Sequence, residues 1–212
     1  MFSVSKFSAL SGVLAAAMLF IVVAIGGYLQ PDYSHRLDLI SELNAVGSKH
    51  PKLIGYLGFL PIGLMTLFFV WHLKHVLPVS CRVFFGLGFI ALVGTDSIVT
   101  ALAPCDAGCP VTGDISLSQQ IHLISGLLTT LLMPIGIYLL VRPLKQAGFS
   151  KAAIAASFAT IGLSVLCFIL LVSATVNDSV GLVQRISVSA FHIYLGMLSI
   201  ETWRRGRNPS SG

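Results

Sequence analysis

Six stretches of about 20 consecutive apolar residues limit what this chain can fold into. A helix needs roughly 20 such residues to cross a bilayer core of about 30 Å, where every backbone polar group must be satisfied within the helix. The predicted spans cover 8–29, 53–73, 83–103, 118–141, 152–174 and 184–203. They use most of the 212 residues, so the sequence predicts one membrane domain over 1–212 and leaves no room for a separate soluble domain.

Composition supports an all-α integral membrane protein with a six-helix bundle. The chain is 10% charged and 55% hydrophobic, whereas soluble domains are about a quarter charged. The first apolar run follows Lys6 and exceeds the roughly 7 to 15 residues of a secretory signal core, so we expect a retained span.

The net charge of +5 predicts a membrane topology rather than binding to nucleic acid. Nine of the thirteen basic residues fall on one side if the N-terminus is cytoplasmic, and cytoplasmic segments carry such an excess. The basic tail at 204–212 places the C-terminus on that side too. The inner set is Lys6, Lys74, Arg82, Arg142, Lys145, Lys151, Arg204, Arg205 and Arg207, and the outer set is Arg36, Lys49, Lys52 and Arg185.

The connection between the first two spans, PDYSHRLDLISELNAVGSKHP, is too long for a turn and is patterned. At about 100° per residue, its apolar and polar side chains separate onto two faces. The sequence therefore predicts a short amphipathic helix on the outer face. The apolar face comprises Leu37, Leu39, Ile40 and Leu43, and the polar face His35, Asp38, Ser41 and Glu42.

Three ionisable residues fall at membrane depth, namely Asp96, His122 and His192. Each costs about 2.5 to 3.5 kcal/mol on insertion scales unless it is sheltered, which makes such residues functional candidates. At about 1.5 Å of rise per residue, they lie roughly 10, 6 and 12 Å below the outer ends of their spans. All three therefore belong to the outer half of the bundle.

Each of these residues also belongs to a polar stripe at helical spacing. The stripes are Asp96 with Thr100, His122 with Ser125 and Thr129, and His192 with Arg185 and Ser189. If the stripes turn toward one another, they form a cavity open to the outside, roofed by the segment that carries His35, Asp38 and Glu42.

Several chemistries fit such a site. Asp96, His122 and His192 could hold a metal that activates water, and Ser118 with His122 matches the S-x-x-x-H spacing of intramembrane metal hydrolases. That pattern lacks its second histidine pair, because His192 stands alone. Haem would need two histidines at one depth, and these two differ by about one helical turn.

Two further interpretations of these polar residues do not involve a chemical reaction. Arg185, His122 and His192, together with Glu42, Asp96 and Ser189, could bind an anionic lipid headgroup. Alternatively, Asp96 pairs with a histidine or with Arg185 and only fixes helix register. Asp96, His122 and His192 are the candidates for a catalytic role, but no catalytic residue, cofactor or metal is assigned. Membrane lipids, a membrane-protein partner or a second copy remain the possible partners.

The loop APCDAGCP, at 103–110, carries Cys105 and Cys109 on the predicted oxidising face. Metal sites usually need four ligands, so a Cys105–Cys109 disulfide is the favoured reading, with free thiols or a metal as the alternatives. Closing so short a loop adds little to global stability. Its expected role is local, since it holds the turn that sets Asp96 relative to His122.

At HRLDLISELNAVGSKHP, APCDAGCP and SQQIHLISG the chain resembles a prokaryotic membrane family of unknown function, numbered 998. The family's ISEL segment matches 40–43, its CDxGCP loop matches 105–110, and its fourth-span histidine matches His122. Asn44 departs from the pattern, where a glycine is expected. The resemblance implies a six-span fold in a bacterial inner membrane and supplies no reaction.

More remotely, the LIS-acid segment and the histidine-led fourth span are similar to a eukaryotic six-helix group that includes a GPI-anchor lipid-remodelling factor and autophagy-linked proteins. That similarity implies lipid handling. We therefore expect a protein that binds or modifies a lipid or lipid-linked headgroup at an outward-facing polar site. A structural or partner-binding subunit is the competing class, and a metal-dependent hydrolase or a haem protein is the third.

Overall fold

The computed structural model describes residues 4–173 and 177–207, and these residues form helices without any strand. There are six long helices in the described residues. They are α1 (Val4–Leu29), α2 (Pro51–Val76), α3 (Cys81–Leu102), α4 (Leu117–Gln146), α5 (Lys151–Val172) and α6 (Val180–Arg207).

Serine side chains begin three of the helices. Ser80, Ser116 and Ser150 precede α3, α4 and α5, and each accepts a hydrogen bond from a backbone N–H in the first turn. Such caps satisfy donors that the helix itself leaves without partners. Gly148, with φ of 74°, reverses the chain after α4, a left-handed conformation that glycine adopts without steric cost.

Helix α2 contains one π-helical turn at Gly55–Phe59. Pro61 follows this turn and lacks the N–H that would bond to the carbonyl four residues before it. The irregular turn is thus the local consequence of a proline within a long helix.

The helices form a ring in chain order. Each helix packs against the next, and α6 closes the ring by packing against α1. Because consecutive helices run in opposite directions, one end of the ring carries the α2–α3 and α4–α5 turns together with the starts and ends of the described chain. We call this the termini end, and the opposite end, with the 103–116 loop, the disulfide end.

The largest hydrophobic core lies toward the termini end. It contains side chains from each of the five helices α2, α3, α4, α5 and α6, and many of these side chains are fully buried. They include Phe69, Leu73, Ile137, Leu140, Leu144, Leu195 and Leu198.

Five of the six predicted spans correspond to helices long and apolar enough to cross a membrane, α1 to α5, so the protein is an integral membrane protein. Helix α6 has 28 residues and is long enough to cross a membrane, but its sequence is more polar than those of the other five helices, and it is not among the helices apolar enough to do so. Helix α6 continues into the predicted basic tail as far as Arg207, and 208–212 fall outside the described residues. The predicted end of the fifth span, at 174, is outside them too.

The expected amphipathic surface helix is absent from the described residues 31–50. The structure instead has a five-residue 3-10 turn, Ile40–Asn44. Ser41 and Asn44 are buried, and the Asn44 side-chain amide donates to the carbonyl of Thr100. Asn44 also fills the space beside Gly55, where an added Cβ would lie 2.7 Å from its Oδ1. The segment packs into the bundle because these polar groups find partners there.

Candidate binding cavity

A cavity of about 350 Å³ lies inside the ring toward the disulfide end. All six helices contribute to its wall, together with the 39–41 segment and the disulfide loop. Most of the wall is apolar, from residues such as Leu19, Phe59, Val93, Met133 and Phe191. A mostly apolar hollow with a few polar groups is the usual form of a small-molecule site.

The three membrane-depth ionisable residues of the sequence, Asp96, His122 and His192, all line this one cavity. Asp96 comes from α3, His122 from the first turns of α4, and His192 from the middle of α6. Ring closure between α6 and α1 brings His192 opposite the other two.

His192 is 2% exposed and is fixed by its own helix. Its Nδ1 lies 2.8 Å from the carbonyl oxygen of Val188. A carbonyl only accepts, so Nδ1 carries the proton and donates, which leaves Nε2 of the neutral ring as an acceptor. Nε2 is buried and has no hydrogen-bond partner among the described residues.

Asp96 and His122 form the other polar wall. Ser125 Oγ donates to Asp96 Oδ1 at 2.7 Å, and the imidazole of His122 is close enough to interact electrostatically with the carboxylate. His122 Nδ1 is buried without a hydrogen-bond partner in the described part of the chain. The cavity therefore contains both hydrogen-bonding capacity and polar groups that the fold leaves unsatisfied.

Arg185 does not line the cavity. Its guanidinium donates to the carbonyls of Asp38, at 2.6 Å, and Gly181, at 2.9 Å, and to the phenol oxygen of Tyr33. Burial raises the pKa of Tyr33 to about 12, so its hydroxyl stays protonated and donates to Leu39 O at 2.9 Å. Arg185 thus holds the 33–39 segment against α6.

Glu42 and Ser189, two further predicted site residues, also lie outside the cavity lining. Glu42 accepts a hydrogen bond from the backbone N–H of Leu39 at 2.8 Å and so caps the 3-10 turn. Burial raises the pKa of this carboxyl above its usual range. Glu42 therefore stabilises the 3-10 turn beside the cavity.

The predicted Cys105–Cys109 disulfide is present, while Cys81 is exposed and Cys167 is buried as free cysteines. The bridged loop lies against the 3-10 turn, where Val46 N–H donates to Cys105 O at 2.8 Å. Cys109 itself lines the cavity and lies 3.5 Å from Ser41 Oγ. The disulfide is therefore part of the wall at this end of the cavity.

Hydrogen bonds to α4 hold the same loop. Gln119 is fully buried, accepts from Asp106 N–H at 2.7 Å and donates to Pro110 O at 2.8 Å. Asp106 accepts from both the backbone and the hydroxyl of Ser116, and these bonds lower the pKa of its carboxyl. Asp106 thus supports the start of α4 rather than binding a metal.

In the described residues, no three His, Cys, Asp or Glu side chains are grouped so that they could hold a metal ion. Ser118, the other half of the S-x-x-x-H pattern, donates to the carbonyl of Pro104 at 2.7 Å. The geometry gives the metal-hydrolase hypothesis no support.

A family model for proteins of unknown function, DUF998, matches residues 13–201, which include every residue that lines the cavity. The chain belongs to the DUF998 family. Searches among curated proteins and among solved structures find nothing that matches it. The remoter similarity to the eukaryotic lipid-remodelling group stays a prediction.

The cavity of this DUF998 protein also contains polar residues that the sequence analysis missed. Gln184 and Ser187 of α6 line it, and so does Gln119. Gln184 Oε1 accepts from Ile40 N–H at 2.6 Å and so ties the 3-10 turn to α6. A search for all amide side chains at membrane depth, rather than for ionisable ones alone, would have found both glutamines.

Three residues that line the cavity are also exposed on the outer surface of the bundle. Leu127 of α4 is 52% exposed, Val172 of α5 is 66% exposed, and Val111 of the loop is exposed. Gly126 lines the same region, and an added Cβ there would meet no atom within 4 Å. The DUF998 cavity therefore reaches the surface between α4 and α5.

Proposed function

We propose that this protein binds a membrane-borne amphiphile, a lipid or lipid-linked molecule, with its polar head in the cavity and its chain passing out between α4 and α5. The observation that carries the proposal is the placing of Asp96, His122 and His192 on one apolar-walled cavity that reaches an apolar surface. An opening between two membrane helices faces lipid, so a lipid is the molecule at highest local concentration there.

The cavity needs both a head and a chain to fill it. Its walls are mostly apolar, and burying apolar surface contributes about 25 cal/mol per Å². Its polar groups gain most from a ligand that bonds to them, because a buried polar atom without a partner costs about 1–3 kcal/mol. An amphiphile satisfies both requirements.

The proposal includes a sixth crossing by α6. Every exposed residue between 181 and 200 of α6 is apolar, while its polar groups face the ring. A helix with that arrangement is compatible with lipid despite its polar sequence, because burial within the bundle shelters its polar groups. The exposed set is Leu182, Ile186, Ile193, Met197 and Ile200.

Six crossings would put both ends of the chain on one side of the membrane. The excess of basic residues there supports the proposal that this is the cytoplasmic side, in a bacterial inner membrane. Exposed Cys81 provides a native label at the termini end. We expect a membrane-impermeant maleimide to label Cys81 in inverted vesicles and not in spheroplasts. In a Cys81→Ser background, Gly206→Cys should behave like Cys81, and Val111→Cys should be labelled in spheroplasts. If Gly206→Cys is labelled from the side of Val111→Cys, α6 does not cross.

Lipid retention tests the binding function itself. Gly126→Leu fills the cavity from a position where the added side chain meets no neighbour at Cβ. Gly162→Leu is the matched control, since Gly162 is exposed on α5 and an added Cβ there also meets nothing within 4 Å. Lipid extracted from protein purified in mild detergent is then quantified by mass spectrometry.

We expect wild type and Gly162→Leu to retain near one molecule of a specific lipid per chain, and Gly126→Leu to lose most of it while remaining folded. Equal lipid content and composition in all three proteins would contradict the proposal.

A further inference from the structure

We infer that the head of the bound amphiphile carries a free hydroxyl group and no phosphate. The inference rests on the proposed function and names the class of ligand that this site would accept. Charge and the direction of hydrogen bonding in the cavity wall carry it.

The ionisable groups of the wall do not suit a phosphate. They are one carboxylate, Asp96, and two imidazoles, and no lysine or arginine of the described chain lines the cavity. Phosphate recognition in proteins relies on arginine, lysine or several backbone N–H groups. Arg185 is committed to two backbone carbonyls and Tyr33, away from the cavity. A phosphate would meet a carboxylate without a compensating cation.

The polar wall requires a ligand that donates. His192 Nε2 is an acceptor, because Nδ1 donates to Val188 O, and it is buried with no partner among the described residues. Asp96 accepts at Oδ1 from Ser125, and no described residue donates to Oδ2. His192 Nε2 and the carboxyl group of Asp96 are therefore two acceptors in the cavity wall that receive no hydrogen bond from the described residues beyond that of Ser125.

A hydroxyl fits this wall better than an ammonium. Asp96 already accepts a hydrogen bond from Ser125, and an ammonium group would lose its hydration on entering a mostly apolar cavity with a single carboxyl group to offset that cost. A hydroxyl both donates and accepts, so it can donate to His192 Nε2 or Asp96 and can also bond to His122 Nδ1, the other unpartnered atom, whichever ring nitrogen of His122 carries the proton.

The size of the cavity agrees with a small head. A volume of about 350 Å³ lies at the low end of the range for ligand sites, about 300 to 1,000 Å³. It accommodates a hydroxyl-bearing head and the first part of a chain, while the remainder lies along Leu127 and Val172. A sugar-phosphate head or several linked sugars exceed this space.

Three probes that share one chain and differ only in the head test the inference, namely oleyl alcohol, oleylamine and oleyl phosphate. Their binding to the purified full-length protein in detergent is measured by equilibrium dialysis of the radiolabelled compounds. We expect saturable binding of oleyl alcohol that is at least tenfold tighter than that of the other two.

His192→Phe, which keeps an aromatic ring and removes Nε2, should weaken oleyl alcohol binding tenfold or more. Asp96→Asn gives an independent loss if His192→Phe does not fold. Dioleoylglycerol and geranylgeraniol, measured in the same way, distinguish a glycerolipid alcohol from an isoprenoid alcohol.

Oleylamine or oleyl phosphate binding as tightly as oleyl alcohol would overturn the hydroxyl inference and leave the proposed function intact, provided that Gly126→Leu abolishes the binding and Gly162→Leu does not. Binding of oleyl alcohol that survives Gly126→Leu, or no saturable binding of any probe, would overturn the proposed function as well.

Discussion

The same six helices pack differently at the two ends of the ring. Toward the termini end, large aliphatic side chains such as Leu140 and Leu195 are fully buried against one another. Toward the disulfide end, the helices enclose a cavity with Asp96, His122 and His192 on its wall. The packed end thus holds the ring together, which allows the other end to carry unsatisfied polar groups and empty volume.

Helix α4 shows this difference along its own length. Gly136 lies in the packed end, where an added Cβ would come within 2.8 Å of Phe89 Cβ and 2.9 Å of Gly86 O. Gly126, ten residues earlier, lines the cavity, and an added Cβ there meets nothing within 4 Å. One glycine permits two helices to approach, and the other leaves space open.

The largest expected effect comes from this pair of glycines. Gly136→Ala should lower the free energy of unfolding by about 1–3 kcal/mol, because the clash with the Gly86 carbonyl requires α3 and α4 to move apart. Gly126→Ala should leave it unchanged or raise it by up to about 1 kcal/mol, since alanine is the better helix former. Denaturation in detergent, followed by circular dichroism, measures both. Similar losses in the two variants would show that the ends are packed alike.

A smaller effect is expected at the disulfide. Chain entropy for so short a loop gives at most about 2 kcal/mol on replacing both Cys105 and Cys109 by serine. We expect the loss of hydrogen-exchange protection to be confined to the loop and the 3-10 turn, with 133–144 unchanged. Cys81→Ser, at an exposed free cysteine, is the control. Exchange that rises equally in α4 near Leu140 would mean that the bridge supports the whole bundle.

The smallest effect concerns pH at the same end. Burial raises the pKa of Glu42, so the folded state binds its proton more tightly than the unfolded chain does. The contribution of Glu42 to stability is full below its unfolded pKa and is lost as the pH rises through the raised pKa. The stability of wild type relative to Glu42→Gln should therefore fall as the pH rises from about 4 to 8, by less than about 1 kcal/mol for this part-exposed group.

Asp106 provides the matched contrast, because hydrogen bonds from Ser116 lower the pKa of its carboxyl. The contribution of Asp106 to stability is present above the unfolded pKa and is lost as the pH falls through the lowered pKa. The stability of the wild type relative to Asp106→Asn should therefore increase as the pH rises. Thermal unfolding in detergent across the pH range measures both slopes. Slopes of the same sign at Glu42 and Asp106 would contradict this account.

Local sequence predicted five of the spans and the disulfide. The predicted runs 53–73 and 118–141 correspond to α2 (Pro51–Val76) and the first part of α4 (Leu117–Gln146), because an apolar run in a bilayer has no alternative to helix. The Cys105–Cys109 bridge needs only a short loop to bring the two thiols together. Such features depend on neighbours in the chain.

The segment between α1 and α2 could not be predicted in the same way. Its apolar and polar residues separate onto two faces as in a surface helix, but hydrogen bonds to Thr100 of α3 and Gln184 of α6 hold Asn44 and Ile40 against the bundle. The position of Arg185 outside the cavity lining has a similar reason. It shares a helical stripe with His192, yet Tyr33 and the Asp38 carbonyl bind it away from the cavity.

The sequence alone determined that this chain crosses a membrane as helices and that two cysteines can close one loop, and it predicted that Asp96, His122 and His192 belong to the outer halves of their spans. Those properties follow from hydropathy, helical rise and chain proximity. The tertiary structure decided that the three polar residues share a cavity, since only the closure of α6 against α1 places His192 opposite Asp96 and His122. It also decided which end of the ring is packed and which is hollow, because that depends on the side chains that meet across helices distant in sequence.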